Sequence, residues 1–230
     1  MRLNSRRLHR SCLLVAPVLA CTPPALANLL VDGGFESNAL TTAGNSLNNF
    51  TGFQGVWGQE DSMIIGTDGS ISPKSGQKML RMRQNGGVTT QIFQIIDVSS
   101  YAAIIDSGSA QAIASALLNV QGSGRIGGIY LSFFTTSVYS SAFGGSPGAS
   151  VNPLDSDTST WEMASKTTLI PAGTRWMMFQ IAYNNASLSN VGGQADFGYA
   201  DDASLVIVPA PGVAGLFGLC AVAAVRRRRG

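Results

Sequence analysis

The sequence predicts an all-β fold for the middle of this 230-residue chain, a single antiparallel sandwich or barrel. Three observations carry that expectation. Apolar and polar residues alternate with a period of two over several stretches, and no helical period lasts three turns. The breaks between stretches consist of Gly, Asn, Ser and Pro, as in Gly66-Thr-Asp-Gly69, Gly144-Gly-Ser-Pro-Gly148 and Asn184-Asn185. The count, about nine short strands, suits a sandwich or barrel.

In chain order, strands are expected at 29–32, 62–65, 78–83 and 90–98. The Ala-rich stretch 109–120 has helical propensity. Strands flank it on both sides, so a strand is expected there too. Strand 125–135 sets Ile129, Leu131 and Phe133 on one face and Tyr130, Ser132 and Phe134 on the other. Residues 137–159 are poor in hydrophobics and read as the longest loop. Strands 161–169, 175–183 and 203–208 complete the set. In 175–183, Met177, Phe179, Ile181 and Tyr183 share a face, and Trp176, Met178, Gln180 and Ala182 share the other. Sizeable apolar groups thus lie on both faces. The second face is either covered by loops or partly open to a ligand. Roughly 180 residues bury enough core to need no disulfide.

The overall balance of 15 basic and 13 acidic residues misleads, because arginines gather at the ends. Residues 28–208 hold seven basic and all thirteen acidic residues, a net charge of −6. That argues against a nucleic-acid partner, which needs a basic footprint. Cys12, Cys21, Cys220 and His9 all lie outside this body. A Ser-His or Cys-His catalytic pair, a His- or thiolate-bound zinc and a disulfide are therefore excluded from it.

Both ends read as addresses. Residues 1–27 have a basic start, an apolar run from Cys12 to Ala20, and the small-x-small site Ala25-Leu26-Ala27. This is the order of a secretory signal peptide cut before Asn28. Lipoprotein processing at Cys21 is the alternative. At the other end, Val208-Pro209-Ala210-Pro211-Gly212 precedes an apolar stretch, 213–225, and then Arg226, Arg227, Arg228 and Arg229. Terminal arginines hold such an end on the cytoplasmic side. Motif, short apolar helix and basic stop together resemble the PEP-CTERM sorting signal of bacterial surface proteins. Ala210 stands where that family has Glu. The resemblance implies an exosortase-type sorting enzyme as partner, transient membrane contact through the tail, and delivery to the envelope, surface or extracellular matrix. The expected division is a leader at 1–27, one domain at 28–207 and a sorting tail at 208–230.

Four pieces of the body carry a second resemblance. These are Asn28-Leu-Leu-Val-Asp-Gly-Gly-Phe-Glu36, Pro73-Lys-Ser-Gly-Gln-Lys-Met-Leu80, Thr90-Gln-Ile-Phe-Gln-Ile-Ile-Asp-Val98 and Gly198-Tyr-Ala-Asp-Asp-Ala-Ser-Leu205. Their order and spacing resemble the galactose-binding-like jelly rolls that include carbohydrate-binding modules. The resemblance implies a jelly-roll sandwich whose first and last strands meet. It also implies one structural Ca2+, with Glu36 and Asp202 supplying carboxylates and carbonyls near Gly34 and around 75–78 completing the shell. Calcium takes six to eight oxygen ligands, so such a set is chemically suitable. Asp155-Ser-Asp-Thr-Ser159 imitates an EF-hand opening but has Thr160 for the required Gly and Lys166 for the closing Glu.

Sugars are held by aromatic faces with polar partners beside them. Trp57 is expected in the core. Trp161, after a polar loop, and Trp176, which shares its face with Gln180, are the candidate ligand residues. The adjacent acids Glu60-Asp61 and Asp201-Asp202 should point to opposite faces of a strand, so no glycosidase pair stands out. The Gly-rich stretches lack a phosphate-loop Lys-Ser/Thr. The expected function is non-catalytic glycan binding, with extracellular polysaccharide as partner. The rival is a surface or biofilm-matrix scaffold that meets other proteins and has no sugar pocket.

Overall fold

The computed structural model describes residues 27–37, 40–42, 54–59, 62–82, 89–122, 125–184 and 197–210. The leader with Ala25, the acidic pair at 60 and 61, and the tail from Pro211 through Gly212 to Arg226, Arg227, Arg228 and Arg229 lie outside those residues. Ala27, Val208, Pro209 and Ala210 lie within them. The expected sandwich is present, with two sheets enclosing one core. In chain order the strands are β1 (Leu40–Thr42), β2 (Trp57–Gln59), β3 (Ser62–Ile65), β4 (Met79–Met82), β5 (Thr89–Asp97) and β6 (Ala110–Val120). They continue with β7 (Ile126–Phe134), β8 (Ala142–Phe143), β9 (Gly148–Val151), β10 (Glu162–Leu169), β11 (Trp176–Asn184) and β12 (Gly198–Pro209). A single short helix, α1 (Ala102–Asp106), follows β5 among the described residues.

The seven-stranded sheet runs β1-β2-β5-β11-β7-β8, with β9 also on β7. The five-stranded sheet runs β10-β6-β12-β4-β3. All pairs are antiparallel except β1 with β2. Period-two alternation gives each sheet one buried face. Ile129, Leu131 and Phe133 of β7 and Met177, Phe179, Ile181 and Tyr183 of β11 point inward. The facing sheet answers with Ala110, Ala112, Ala114 and Ala116 of β6 and Leu205 and Ile207 of β12. Small residues on β6 leave room for large ones opposite, which is how interdigitating layers reach native packing density. The burial of β6 alternates residue by residue, so the Ala-rich stretch is a strand against its helical propensity. Tyr183 is fully buried, and its hydroxyl donates to the carbonyls of Asn119 and Tyr199.

Two expectations are corrected. Residues 29–32 do not pair as a strand; they open a turn. Asp32 and Phe35 adopt positive φ of 53° and 54°, which ends extended chain. The Asp32 carboxylate accepts the Glu36 and Ser37 amides, and its carbonyl accepts the Trp57 indole. Residues 137–159 are not one loop, since the two-residue β8 and the four-residue β9 lie inside them as short strands on the edge of β7. Helix α1 is too short to show a period in sequence.

The opening turn and the closing strand meet, as the jelly-roll resemblance implies. The Asn28 carboxamide donates to the Ala203 carbonyl at 2.9 Å and accepts from the Leu205 amide at 2.9 Å. The Ala203 amide donates to the Gly33 carbonyl at 2.8 Å. A Cβ on Gly33 would sit 2.1 Å from the Ala203 carbonyl oxygen, whereas one on Gly34 would meet nothing within 4 Å. Gly33→Ala is therefore expected to destabilise the fold by about 2 kcal/mol or more, and Gly34→Ala to change it little. Chemical denaturation of the two variants checks this; equal midpoints would refute it.

Candidate functional site

The outer face of the seven-stranded sheet is built by three long strands in register. Its cross-strand rows are Asp97–Trp176–Phe134, Ile95–Met178–Ser132, Phe93–Gln180–Tyr130 and Gln91–Ala182–Gly128. Trp176 and Gln180 thus share one face, four residues apart on β11, as the sequence alternation predicts. The two ends of the face differ in character. Phe93, Ile95, Phe134 and Met178 form a buried cluster with Trp176 packed against it. Tyr139 closes over Phe134, with ring centroids 6.0 Å apart. The Trp176 end is therefore mostly filled by the protein's own side chains.

At the Tyr130 end polar side chains are partly exposed, while Phe93 in the same row is buried. Tyr130 is half-buried. A Cβ on Gly148 would lie 2.5 Å from its Cδ1, and one on Gly128 would lie 3.2 Å from its hydroxyl. Both positions must lack side chains for the ring to lie down against the sheet. A ring laid flat and left partly exposed offers an apolar face at little entropic cost. Beside it, Gln180 Nε2 donates to Gln91 Oε1 across the strand pair. The Ser132 and Ser146 hydroxyls stand 3.3 Å apart on the next row. Aromatic ring, two carboxamides and two hydroxyls present both donors and acceptors around one flat surface. Asp97 is the acidic side chain in these four rows, and its carboxylate accepts the Ser99 amide. A cleft of about 370 Å³ opens towards the end of β5, lined in part by Val31, Gln54, Ile95, Asp97, Ser100 and Tyr101.

Tyr130 was not among the residues the sequence singled out. The signal was present in Gly127-Gly128 two residues before an aromatic on a strand. Glycine within a strand marks a place where something approaches closely. The partner glycine, Gly148, lies on a separate strand and could not be matched to it from the sequence.

Trp161 is not brought to this face. It lies before β10 on the outside of the five-stranded sheet, packed against Ile71, Met79 and Tyr199. Its indole donates to the Ser72 carbonyl at 3.3 Å. There it holds the loop between β3 and β4, which Arg81 also braces through Asp68 at 2.9 Å. Burial and the neighbouring Asp68 push the Tyr199 phenol up. Trp57 is fully buried between Phe35 and Phe179, as expected of a core residue.

A second constellation gathers on the turn at 74–78. Glu36 Oε1 accepts the amides of Gln77 at 3.0 Å and Lys78 at 3.1 Å. Asp202 Oδ1 accepts the Ser75 hydroxyl at 2.6 Å. Asp201, with no exposed surface, accepts the Lys74 and Ser75 amides on Oδ2 and the Asp202 amide on Oδ1. Burial pushes the Asp201 carboxyl up to about 6, against the pull of those amides. The adjacent acids do not point to opposite sides as a regular strand requires. A register shift between Asp201 and Ser204, with Asp202 at φ 49°, turns both onto Ser75. All donors here are oxygens, which suits a hard cation. Among the described residues no three acidic side chains converge as a metal cluster, so carbonyls of the two turns would have to supply most of a shell.

No protein-family model and no curated protein matches the chain. Several solved structures resemble it in overall course. The carbohydrate-binding module TmCBM61, solved with β-1,4-galactotriose, is 12% identical over 80% of this chain and 99% of its own, with a TM-score of 0.45. A family 16 carbohydrate-binding module is 15% identical over 78% and 99%, with a TM-score of 0.46. The CBM22-2 xylan-binding domain of Paenibacillus barcinonensis Xyn10C is 14% identical over 70% and 98%, with a TM-score of 0.42. Likeness at this level carries no residue-by-residue correspondence.

Proposed function

We propose that the sandwich is a non-catalytic glycan-binding domain that takes a polysaccharide chain on the outer face of the seven-stranded sheet. The observation that carries this reading is the Tyr130 ring laid over Gly128 and Gly148 beside the Gln180–Gln91 amide pair. A pyranose presents a flat C–H face rimmed by hydroxyls. The ring takes the face, and the carboxamides and serines take the rim. Trp176 borders the same surface and extends it towards the apolar end. Trp161 serves in this reading as a clamp on the β3–β4 loop.

Affinity electrophoresis through gels containing a polysaccharide panel tests the reading. Retardation by at least one glycan is expected. Tyr130→Ala and Gln180→Ala should each weaken it by about tenfold, the worth of one buried stacking or hydrogen-bonded contact. Trp161→Ala should lower the melting temperature and leave retention intact. No retardation of folded protein by any glycan would leave the scaffold reading in its place.

A structural Ca2+ held between Glu36 and Asp202 is proposed as a separate matter. It would join the opening turn, the 74–78 turn and the closing strand, and so stabilise the native state by mass action. Melting in millimolar calcium is expected several degrees above melting in chelator, and Asp202→Asn should abolish the increment. Identical curves with and without chelator would dismiss the site.

Export is proposed from the ends of the chain, with residues 1–27 as leader and 208–230 as a sorting tail read by an exosortase-type enzyme. No helix among the described residues is long and apolar enough to cross a membrane. Replacing Arg226, Arg227, Arg228 and Arg229 by Gln should shift the protein from its wild-type envelope fraction in a host with such an enzyme. Unaltered fractionation would rule out a sorting role for the cluster.

A further inference from the structure

The cleft at the end of β5 opens from one side of the proposed glycan face. Ile95 and Asp97 belong both to the outer-face rows and to the cleft. Its volume, about 370 Å³, is that of a small-molecule site. Its other walls come from segments far apart in sequence. Leu29 and Val31 belong to the opening segment, Gln54 and Gly55 precede β2, and Ser100 and Tyr101 follow β5.

The mouth of the cleft is held rigidly. Gln94 is 1% exposed, and its carboxamide binds one residue by both backbone groups. The Val31 amide donates to Gln94 Oε1 at 2.8 Å, and Gln94 Nε2 donates to the Val31 carbonyl at 2.9 Å. The Val31 side chain is nevertheless 54% exposed. Gly55 lies against it, since a Cβ there would stand 3.7 Å from Val31 Cγ2. An apolar group fixed in the open presents C–H surface to a ligand with little further loss of freedom on binding.

The charge in the cleft is one carboxylate. Asp97 is exposed, and its Oδ1 accepts the Ser99 amide at 2.8 Å. Arg175 comes next to it in the ladder, where the Val98 amide donates to the Arg175 carbonyl at 2.9 Å. The Arg175 guanidinium is already bound to Asp106 by two bonds, at 3.0 and 2.6 Å. Among the described residues no cation pairs with Asp97, and the four rows of the face contain no Lys or Arg. Gln54 and Ser100 add a carboxamide and a hydroxyl to the same lining.

We propose that this cleft receives a hexosamine unit of the bound glycan whose amino group is free and protonated, with the ammonium at Asp97. The proposal rests on the glycan reading of the outer face and names the kind of sugar it takes. The ring hydroxyls meet Gln54 and Ser100, and the C–H face meets Val31. A neutral hexose would leave Asp97 without a counter-charge, and an N-acetylated unit would do the same with added bulk. A lysine side chain would answer the acid, but its hydrocarbon stem offers nothing to Gln54 and Ser100. Tyr130 and Asp97 stand two strands and four residues apart, about 17 Å over the sheet. They therefore touch different units of one chain, and the unit over Tyr130 is free to be neutral. Screening confines the pull of Asp97 to about 8 Å, so the amine has to enter the cleft to be counted.

Single sugars test the cleft apart from the face. The full chain, isotope-labelled for amide spectra, is titrated with glucosamine, N-acetylglucosamine and glucose. At about pH 6 the carboxylate is ionised and the amine of glucosamine is protonated. Glucosamine is expected to shift the amides of Val31, Gly55 and Ser100 at millimolar concentration, and the other two sugars to need about tenfold more. Asp97→Asn keeps an oxygen for the Ser99 amide and should remove that preference. Val31→Ser should weaken all three sugars alike, and added salt should weaken glucosamine alone. Equal binding of the three sugars overturns the proposal. So does an unchanged preference in Asp97→Asn, or the absence of shifts at these amides at tens of millimolar. Stronger shifts with Nα-acetyl-lysine amide would make a protein side chain the occupant and overturn it as well. Each of these failures leaves retardation by polysaccharide through Tyr130 as it was. Loss of the glycan reading shows instead in the gels, where no polysaccharide would retard the protein, and the hexosamine proposal would fall with it.

Discussion

The domain depends on a buried carboxylate at an irregular point of its last strand. Asp201 has lost all contact with water and is satisfied by three backbone amides, two of them from the 74–78 turn. A buried carboxylate without such partners would cost several kcal/mol. The turn is therefore obliged to stay on the strand. The same bulge aims Asp202 at Ser75, and Glu36 reaches the turn from the opening segment. Gly76 permits this at φ 59°, because a Cβ there would meet the Glu36 carboxylate at 2.0 Å. Two segments far apart in sequence are thus tied to one five-residue turn by charged hydrogen bonds, which are roughly twice as strong as neutral ones. A cation at this joint would add to a tie the chain already makes.

With both ends of the fold closed there, the long strands are free to differentiate their faces. On β11 the inward residues build the core, and the outward ones change from apolar at Trp176 to polar at Gln180. The change matters because an outward apolar residue needs a cover. Trp176, Phe134 and Tyr139 cover one another at one end. At the other end glycines replace the cover, and the Tyr130 ring lies on the sheet. A side chain at Gly128 or Gly148 would lift that ring into an ordinary upright position. The shape of the candidate surface is thus set by residues that contribute nothing to it chemically.

The strands of the body were legible because period two is a local signal. Residues 62–65 match β3, and 109–120, 125–135 and 175–183 fall within a residue of β6, β7 and β11. The opening strand misled because Leu29-Leu-Val31 looks extended. Its course is decided by Asn28 and Gly33 meeting Ala203, 170 or more residues away. The short β8 and β9 were hidden for a similar reason, since strands of two and four residues show no period of their own and exist by pairing with β7. The site was half legible. Alternation placed Trp176 and Gln180 on one face, but no local pattern separates the environment of Trp161 from theirs. Tyr130 depends on a glycine of another strand, and such pairs are register facts that one sequence does not contain.

The distribution of charge explains why the two outer faces can serve different ends. Free charges act over about 8 Å at physiological ionic strength, so a body at −6 does not act on a distant cation as a whole. What acts is the acid placed nearby. On the seven-stranded sheet the rows around Tyr130 hold no acid until Asp97, so a neutral glycan meets no field and is held by shape and hydrogen bonds. On the five-stranded sheet the Met163–Leu117 row ends on Asp201, buried under the 74–78 turn, and the loop beyond carries the exposed Asp155 and Asp157. The Asn119 carboxamide, donating to the Thr158 carbonyl, fixes where those two acids stand at the end of the sheet.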